Sequence, residues 1–416
     1  MRLYFFIILV IFSESCFSDL SEQVPDRRKS QFETEPGYAL FPFPYSLPGI
    51  GAGISLVGGA SNLANTHMDL YGLLLTGGVK GAAIGLDDIH LIKKRLLVEI
   101  GASSLSKATI TNYNQRGMRT DKDDFSLIEI SNTGSIGTRW TATYFDRRFE
   151  IYGAYYRFWS RLERILDNEG NTIIDIEDPS TENADQKIAG IRFDFTDDFQ
   201  DPRRGVRIDV SGWYNPKEQN GPEYLLLDFN TTGYIPLGKR STWVFNYFHS
   251  DATVFSEGET DRTQVADELG LDCTTVSEAN DKLRCNQLID TVVISNKYGT
   301  ASTLGGFSRL RSYPQGRYSG AHSRFWGTEL RWNLTDEFTP FNLYVIRDVR
   351  TAIQVSFFYE IGTIAEQVSK LYEVTRSSYG LGFRIVTASG AVFRGDFAYG
   401  NEGFQPNVFI GYPWEI

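Results

Sequence analysis

The sequence predicts an all-β fold, a sixteen-stranded antiparallel transmembrane β-barrel. Three observations predict it. From Gly49 onward, segments of roughly ten residues alternate apolar with polar or small side chains, the period of two that marks strands. The polar face of these segments carries Glu, Arg, Asp and Gly, while Trp, Tyr and Phe gather near segment ends, the inverted pattern of a sheet with lipid outside and water inside. After the first eighteen residues no run approaches the ~20 apolar residues of a membrane helix, although 14% of the chain is aromatic and 39 residues are glycine. The competing reading of the pattern is a large soluble β protein with amphipathic strands.

Residues 1–18, "MRLYFFIILVIFSESCFS", have the form of a signal peptide: Arg2, an apolar run from Leu3 to Phe12, and the small residue Ser18 before Asp19. A lipidated Cys16 is the lesser alternative. Residues 19–48 mix charge with five prolines and show no periodicity, and so read as an N-terminal linker on the periplasmic side. The barrel is expected over 49–416. Its sixteen segments are 49–60, 69–78, 80–91, 95–106, 134–145, 148–159, 187–197, 205–214, 223–235, 241–253, 297–306, 322–334, 351–362, 378–387, 391–399 and 407–414. "VRIDVSGWY" sets Val206, Ile208 and Val210 against Arg207, Asp209 and Ser211. "WGTELRWNL" and "AIQVSFFYEIG" alternate the same way, with Glu329 and Glu360 on the polar faces. An even count closes the sheet with both termini on one side, and closure is required because lipid cannot satisfy unpaired backbone groups at an edge. On this count the long segments 107–133, 161–186 and 254–296 fall on the periplasmic side, where turns are usually short. Inserted elements or a slip of one strand would account for that, and 254–296, with "QVADELG", is expected to hold a short helix.

Charge and cysteines narrow the classes. With 41 basic and 52 acidic residues the net charge is −11, and without a basic run the chain is a poor nucleic-acid binder. Cys273 and Cys285, in a polar stretch with no histidine nearby, match no metal spacing; in an oxidising compartment they can close a local disulfide, the alternative being two free thiols. No zinc, phosphate-loop, dinucleotide or Gly-x-Ser-x-Gly signature occurs, so no cofactor and no enzymatic activity are expected. "FHSD" offers His249 beside Ser250, but strand neighbours point to opposite faces.

The stretch "LGGFSRLRSYPQGRYSG", 304–320, stands out between two strand segments for its arginines, glycines and tyrosines. Its Leu310, Arg311, Ser312 and Tyr313 resemble the sixth-loop signature of the outer-membrane protein assembly factor superfamily, usually an aliphatic residue, Arg, Gly, then Phe or Tyr; Ser312 departs from it. This superfamily includes the BamA-like and TamA-like assembly proteins and the bacterial surface antigen family. Other pieces resemble it in order: "FPFPYSLPGIGAG" at the start of the first barrel strand, "DFTDDFQDPRRGVRIDV" between strands seven and eight, "GTELRW" in strand twelve, "FYEIG" in thirteen, "GAVFRGDFAYG" in fifteen and "FIGYPW" in the closing strand, here followed by Glu415 and Ile416. The resemblance spans residues 41–416 and implies a sixth loop folded into the lumen, its Arg311 held by Glu329 and Glu360. That fits the residues themselves, since a forked, permanently charged donor between two inward carboxylates would fix a long loop to the wall. Arg309, Arg317 and Arg324 read as ordinary loop or lumen charge.

Residues 19–48 are too few for a POTRA domain, so the chain reads as a barrel-only member of this superfamily, in the outer membrane of a Gram-negative bacterium. The implied activity is to assist insertion or translocation of protein or lipid, with outer-membrane lipid, client polypeptides or lipids, and a separate POTRA-bearing or lipase partner as candidate partners. A weak seam is expected between a glycine-rich first strand, "GIGAGISLVGG", and a last strand holding Gly411 and Pro413. The alternatives are a passive outer-membrane channel or structural surface protein and, more remotely, a hydrolase using His249 and Ser250.

Overall fold

Alternating side chains and glycine-bearing turns give one closed antiparallel sheet. The computed structural model describes residues 31, 36–217, 220–335, 340–343, 346–387 and 392–414, so the signal-peptide reading of 1–18 lies outside it. Eighteen strands join the sheet, but the four-residue strands Thr172–Asp175 and Pro340–Leu343 only extend hairpins. Sixteen form the wall: β1 (Gly37–Leu47), β2 (Gly51–Ser61), β3 (Asp69–Gly77), β4 (Val79–Ile92), β5 (Leu96–Tyr113), β6 (Phe125–Tyr144), β7 (Phe149–Leu166), β8 (Thr181–Asp194), β9 (Gly205–Asn215), β10 (Glu223–Pro236), β11 (Ser241–Ser256), β12 (His322–Asn333), β13 (Ile346–Ala365), β14 (Arg376–Thr387), β15 (Val392–Gly400) and β16 (Gly403–Ile410). Each pairs with its neighbour in sequence, and β1 meets β16.

The number expected is the number found, but two assignments change. Gly37–Leu47, inside the segment read as linker, is the first strand, and "GIGAGISLVGG" becomes the second. The segment 297–306 is no strand: it holds the end of a helix and an irregular run whose one bridge is Leu304 to Tyr318. The prolines hid β1. Pro42 and Pro44 sit two apart, and the ladder to β2 is unbroken over all eleven residues, so their missing N–H groups lie on the other edge. With β1 counted, the connections 114–124, 167–180 and 257–321 all leave one end of the barrel, here the cap end, and the Asp-rich turn 195–204 lies between β8 and β9 at the opposite, tail end. The expected placement of the long segments on the side of the N-terminus is thereby reversed.

The wall is polar within and apolar without. On β14, Tyr379, Leu381, Phe383 and Ile385 are each about half exposed, whereas Ser378 and Arg384, of the opposite parity, are fully buried. Trp332 and Leu330 face outward on β12 while Glu329 and Arg331 are enclosed. Such an exterior suits lipid, and a soluble domain rarely exposes contiguous apolar surface on this scale. The main core lies inside the wall, where Leu304, Leu310, Tyr313 and Tyr318 of the long connection pack on Phe248, Phe325 and Ile364.

Closure is weakest between the first and last strands. β1 and β16 share one register pair, Ser46 with Val408. β16 pairs with β15 without interruption across Pro406, so this proline too turns its missing donor toward the seam. The strand ends at Ile410; Pro413, expected to weaken it, lies beyond it. Near the tail end, Phe41 and Phe43 of β1 reach Phe393 of β15 instead, with ring centroids 5.0 and 5.3 Å apart.

Leu381→Arg places a charge on the exposed face and is expected to lower folding stability in phospholipid vesicles by about 2–4 kcal/mol. Urea titration followed by tryptophan fluorescence measures it, and an unchanged midpoint would mean that this face does not meet lipid.

Candidate functional site: the enclosed loop and its carboxylates

The connection from β11 to β12 first builds a cap and then enters the barrel. Helices α1 (Arg262–Leu269) and α2 (Ala279–Tyr298) follow in turn, and a disulfide ties Cys273, in the segment between them, to Cys285 of α2. Asp261 caps α1 by accepting from the N–H groups of Thr263 and Gln264. The helices pack on Ile165 and the hairpin residues Ile173 and Ile174. Beyond Gly299 the chain turns inward as an irregular hairpin, Ala301 N–H bonding to Gly320 O and Leu304 exchanging bonds with Tyr318.

At the tip the structure brings Arg311, Glu329 and Glu360 together, all three fully enclosed. The backbone N–H of Arg311 donates to Glu360 Oε2 and its Nε to Oε1, both at 2.8 Å. Nη1 donates to Asp396 Oδ2 at 2.9 Å, and Nη1 and Nη2 reach Glu329 Oε2 at 3.3 Å. The guanidinium lies 3.5 Å over the ring of Phe358. Glu329 is also held by Arg331, at 2.7 Å, and by Arg384, at 2.7 and 2.6 Å. One loop cation therefore ties β12, β13 and β15. Alternation explains the convergence: Glu329, Glu360 and Asp396 occupy inward positions of β12, β13 and β15, close together on one stretch of the wall.

The neighbours of Arg311 fit closely. Leu310, not residue 312, carries the left-handed backbone, at φ 54°, which is why serine is admitted where glycine is usual in the resemblance. Ser312 N–H donates to Ser378 Oγ at 2.9 Å, and the Ser312 side chain lies over Gly400, where a Cβ would overlap it. Tyr313 is enclosed, its hydroxyl 3.1 Å from the carbonyl of Ser377.

Sequence reasoning missed three residues here. Asp396 sits in the quoted "GAVFRGDFAYG" at an inward position, so its parity was available as a signal. Arg317 is not ordinary loop charge: buried, it donates to both oxygens of Glu402 at 3.0 Å and to Thr120 at 2.6 Å, joining three connections at the cap end. Arg116 does likewise, bonding Glu366 at 2.6 and 2.9 Å and Ser295 at 2.5 Å. No pattern in the sequence marks either. Arg309 stacks 3.5 Å over Phe248 inside the barrel, and Arg324 faces outward to Asp251 at 2.9 Å, with His322 2.8 Å from the same carboxylate. His249 also bonds Asp251, whereas Ser250 Oγ points inward and accepts from Ser302 N–H at 2.9 Å, so the two do not form a pair. Among the described residues no three potential ligands converge to hold a metal. The arrangement can hold a loop.

No family model matches the chain, and no curated protein matches it. Its fold is similar to that of solved structures. CdiB from Escherichia coli aligns over 91% of this chain and 62% of its own, at 10% identity with a TM-score of 0.50. A BamA from Haemophilus ducreyi lacking POTRA domains 1–3 aligns over 90% of this chain and 69% of its own, at 11% identity and a TM-score of 0.49. CdiB from Acinetobacter baumannii gives 9% identity, a TM-score of 0.45 and cover of 90% and 64%. The chain thus spans about two thirds of their lengths, and at such identities the likeness is one of fold.

Arg311→Ala leaves three carboxylates of the wall without their shared partner, a loss of about 3–5 kcal/mol for a buried pair. The heat at which the folded band is lost on unboiled gels should fall clearly. Arg311→Lys should rescue little, since an ammonium cannot fork to three acids; wild-type melting in both variants would refute the contact's importance. Gly400→Ala should destabilise by about 1–3 kcal/mol through overpacking, and Ser312→Gly in the same chain should restore only part of it, because the Ser377 carbonyl would still lie 2.9 Å from the new Cβ.

Proposed function

We propose that the protein is an integral β-barrel of the outer membrane of a Gram-negative bacterium that assists insertion or passage of polypeptide or lipid there, acting at the β1–β16 seam. The observation that carries this reading is the seam itself: one register pair, with Pro42, Pro44 and Pro406 all turning donor-free edges toward it. Each missing N–H removes a bond that would hold the wall shut. Opening the seam would expose two strand edges to the bilayer, and unpaired edges recruit another strand or disturb the lipid beside them. The apolar exterior supports the membrane location. The long connections suit the outer surface, leaving the tail end to the periplasm, where a partner bearing POTRA or lipase domains would dock. Arg311 and its carboxylates would keep the loop in place while the seam moves. In the rival reading the barrel is a passive channel or a structural surface protein.

A chain carrying Ser46→Cys and Val408→Cys, opposed across the seam, can be locked by oxidation. In lipid vesicles the reduced form should accelerate the folding of a small unfolded test barrel, or the transbilayer exchange of a fluorescent lipid, several-fold over empty vesicles. Oxidation should abolish the effect and reduction restore it. Equal rates in the two states would remove the seam from the mechanism, and a steady conductance indifferent both to the lock and to Arg311→Ala would favour the channel.

A further inference from the structure

The chain does not end in its last strand. At Gly411 the backbone takes φ 107°, and Tyr412, Pro413 and Trp414 leave the wall for the lumen, where all three are buried. Trp414 Nε1–H donates to Glu360 Oε1 at 2.9 Å, the same oxygen that accepts Nε of Arg311 at 2.8 Å. The carbonyl of Trp414 accepts from Asn230 Nδ2 at 2.7 Å. Its ring lies 6.2 Å from that of Phe325 and over Gly327, where a Cβ would collide with the indole. The Tyr412 hydroxyl donates to Asp201 at 2.5 Å, and Arg331 and Arg384 flank its ring at 4.1 and 5.3 Å.

The loop, arriving from the cap end, and the tail, arriving from the other, therefore meet on one carboxylate. We propose that Tyr412–Trp414 is a lumenal latch: seated, it holds Glu360 in the position that grips Arg311, and its release loosens the loop. Two features suit a latch rather than permanent packing. Trp414 and Leu310 both hold left-handed backbones, φ 67° and 54°, which non-glycine residues keep only while their surroundings enforce them. A cavity of about 170 Å³ lies beside Tyr412 and Trp414, between Phe199, Arg207 and Val392, so the tail is not packed on every side. The coupling is reciprocal, since two ligands of one oxygen each stabilise the other's seat. It rests on the geometry of loop and tail, not on the proposed activity, so its failure leaves that reading standing.

The test uses the full barrel in detergent with the Cys273–Cys285 disulfide intact, Cys16 replaced and one reporter thiol added. With Ser312→Cys as the loop reporter, Trp414→Phe, which keeps a ring but loses the N–H, is expected to raise maleimide labelling about tenfold, the weight of one hydrogen bond. Trp414→Ala should raise it further, and Asn230→Ala, which frees the tail without touching Glu360, should raise it too. With Pro413→Cys as the tail reporter, Arg311→Lys should raise labelling by a similar factor. Loop labelling unchanged in Trp414→Phe and Asn230→Ala, or a tail indifferent to Arg311→Lys, overturns the latch.

Discussion

A guanidinium enclosed among three carboxylates is the interaction on which the rest of this molecule depends. Burying ions is costly, and the return comes only when geometry and additional hydrogen bonds are nearly complete. Here Arg311 has Glu360, Glu329 and Asp396, a flat ring beneath it and two further arginines backing Glu329. The network thus does what apolar packing does in a soluble domain, because a barrel with its apolar surface turned outward has little else with which to fill its centre. The aliphatic and aromatic residues of the loop complete the filling, and the ionic seat sets their register against the wall together with Ser312 on Ser378 and Tyr313 on Ser377.

The same inversion explains the contrast between strong and weak parts of the sheet. Strands β12 to β15 are joined by continuous ladders and again, through their side chains, by the loop. The β1–β16 junction has no continuous ladder, and the loop reaches it through single bonds, Asn407 Nδ2 to Arg311 O and Gln315 N–H to Pro48 O, each at 2.8 Å. Its prolines are tolerated because they stand where no ladder is made, and no ladder is made because they stand there. A wall stiff on the side that holds the plug and loose where its ends meet is therefore written into the backbone chemistry.

Much of this was legible in the sequence, and the losses have physical causes. A period of two is a robust signal, so the inward positions of Glu329 and Glu360 follow from counting along "WGTELRWNL" and "AIQVSFFYEIG". Strand β1 was hidden because proline is usually a breaker, and only knowledge of which edge is unpaired reverses its meaning. The glycine-rich, polar run 297–306 imitates a strand, since extended chain inside a barrel has the composition of extended chain in its wall. Those two errors cancelled in the count but not in the sidedness of the loops. Trp414 was unreadable for a different reason: whether a terminal aromatic points to lipid or to lumen is decided by one φ angle at Gly411.

The disulfide-tied helices at the cap have a consequence for the order in which the molecule is made. They are joined to the inner hairpin by a few residues, and Arg116 and Arg317 sew the surrounding connections over it. A bulky tip bearing Arg311 and Tyr313 cannot be threaded through that lid once it has set. Every carboxylate that receives Arg311 lies later in the chain than the loop itself. The hairpin must already be waiting when the final strands arrive, so that the cylinder is wound around its own plug, as a cork is set before the neck is formed.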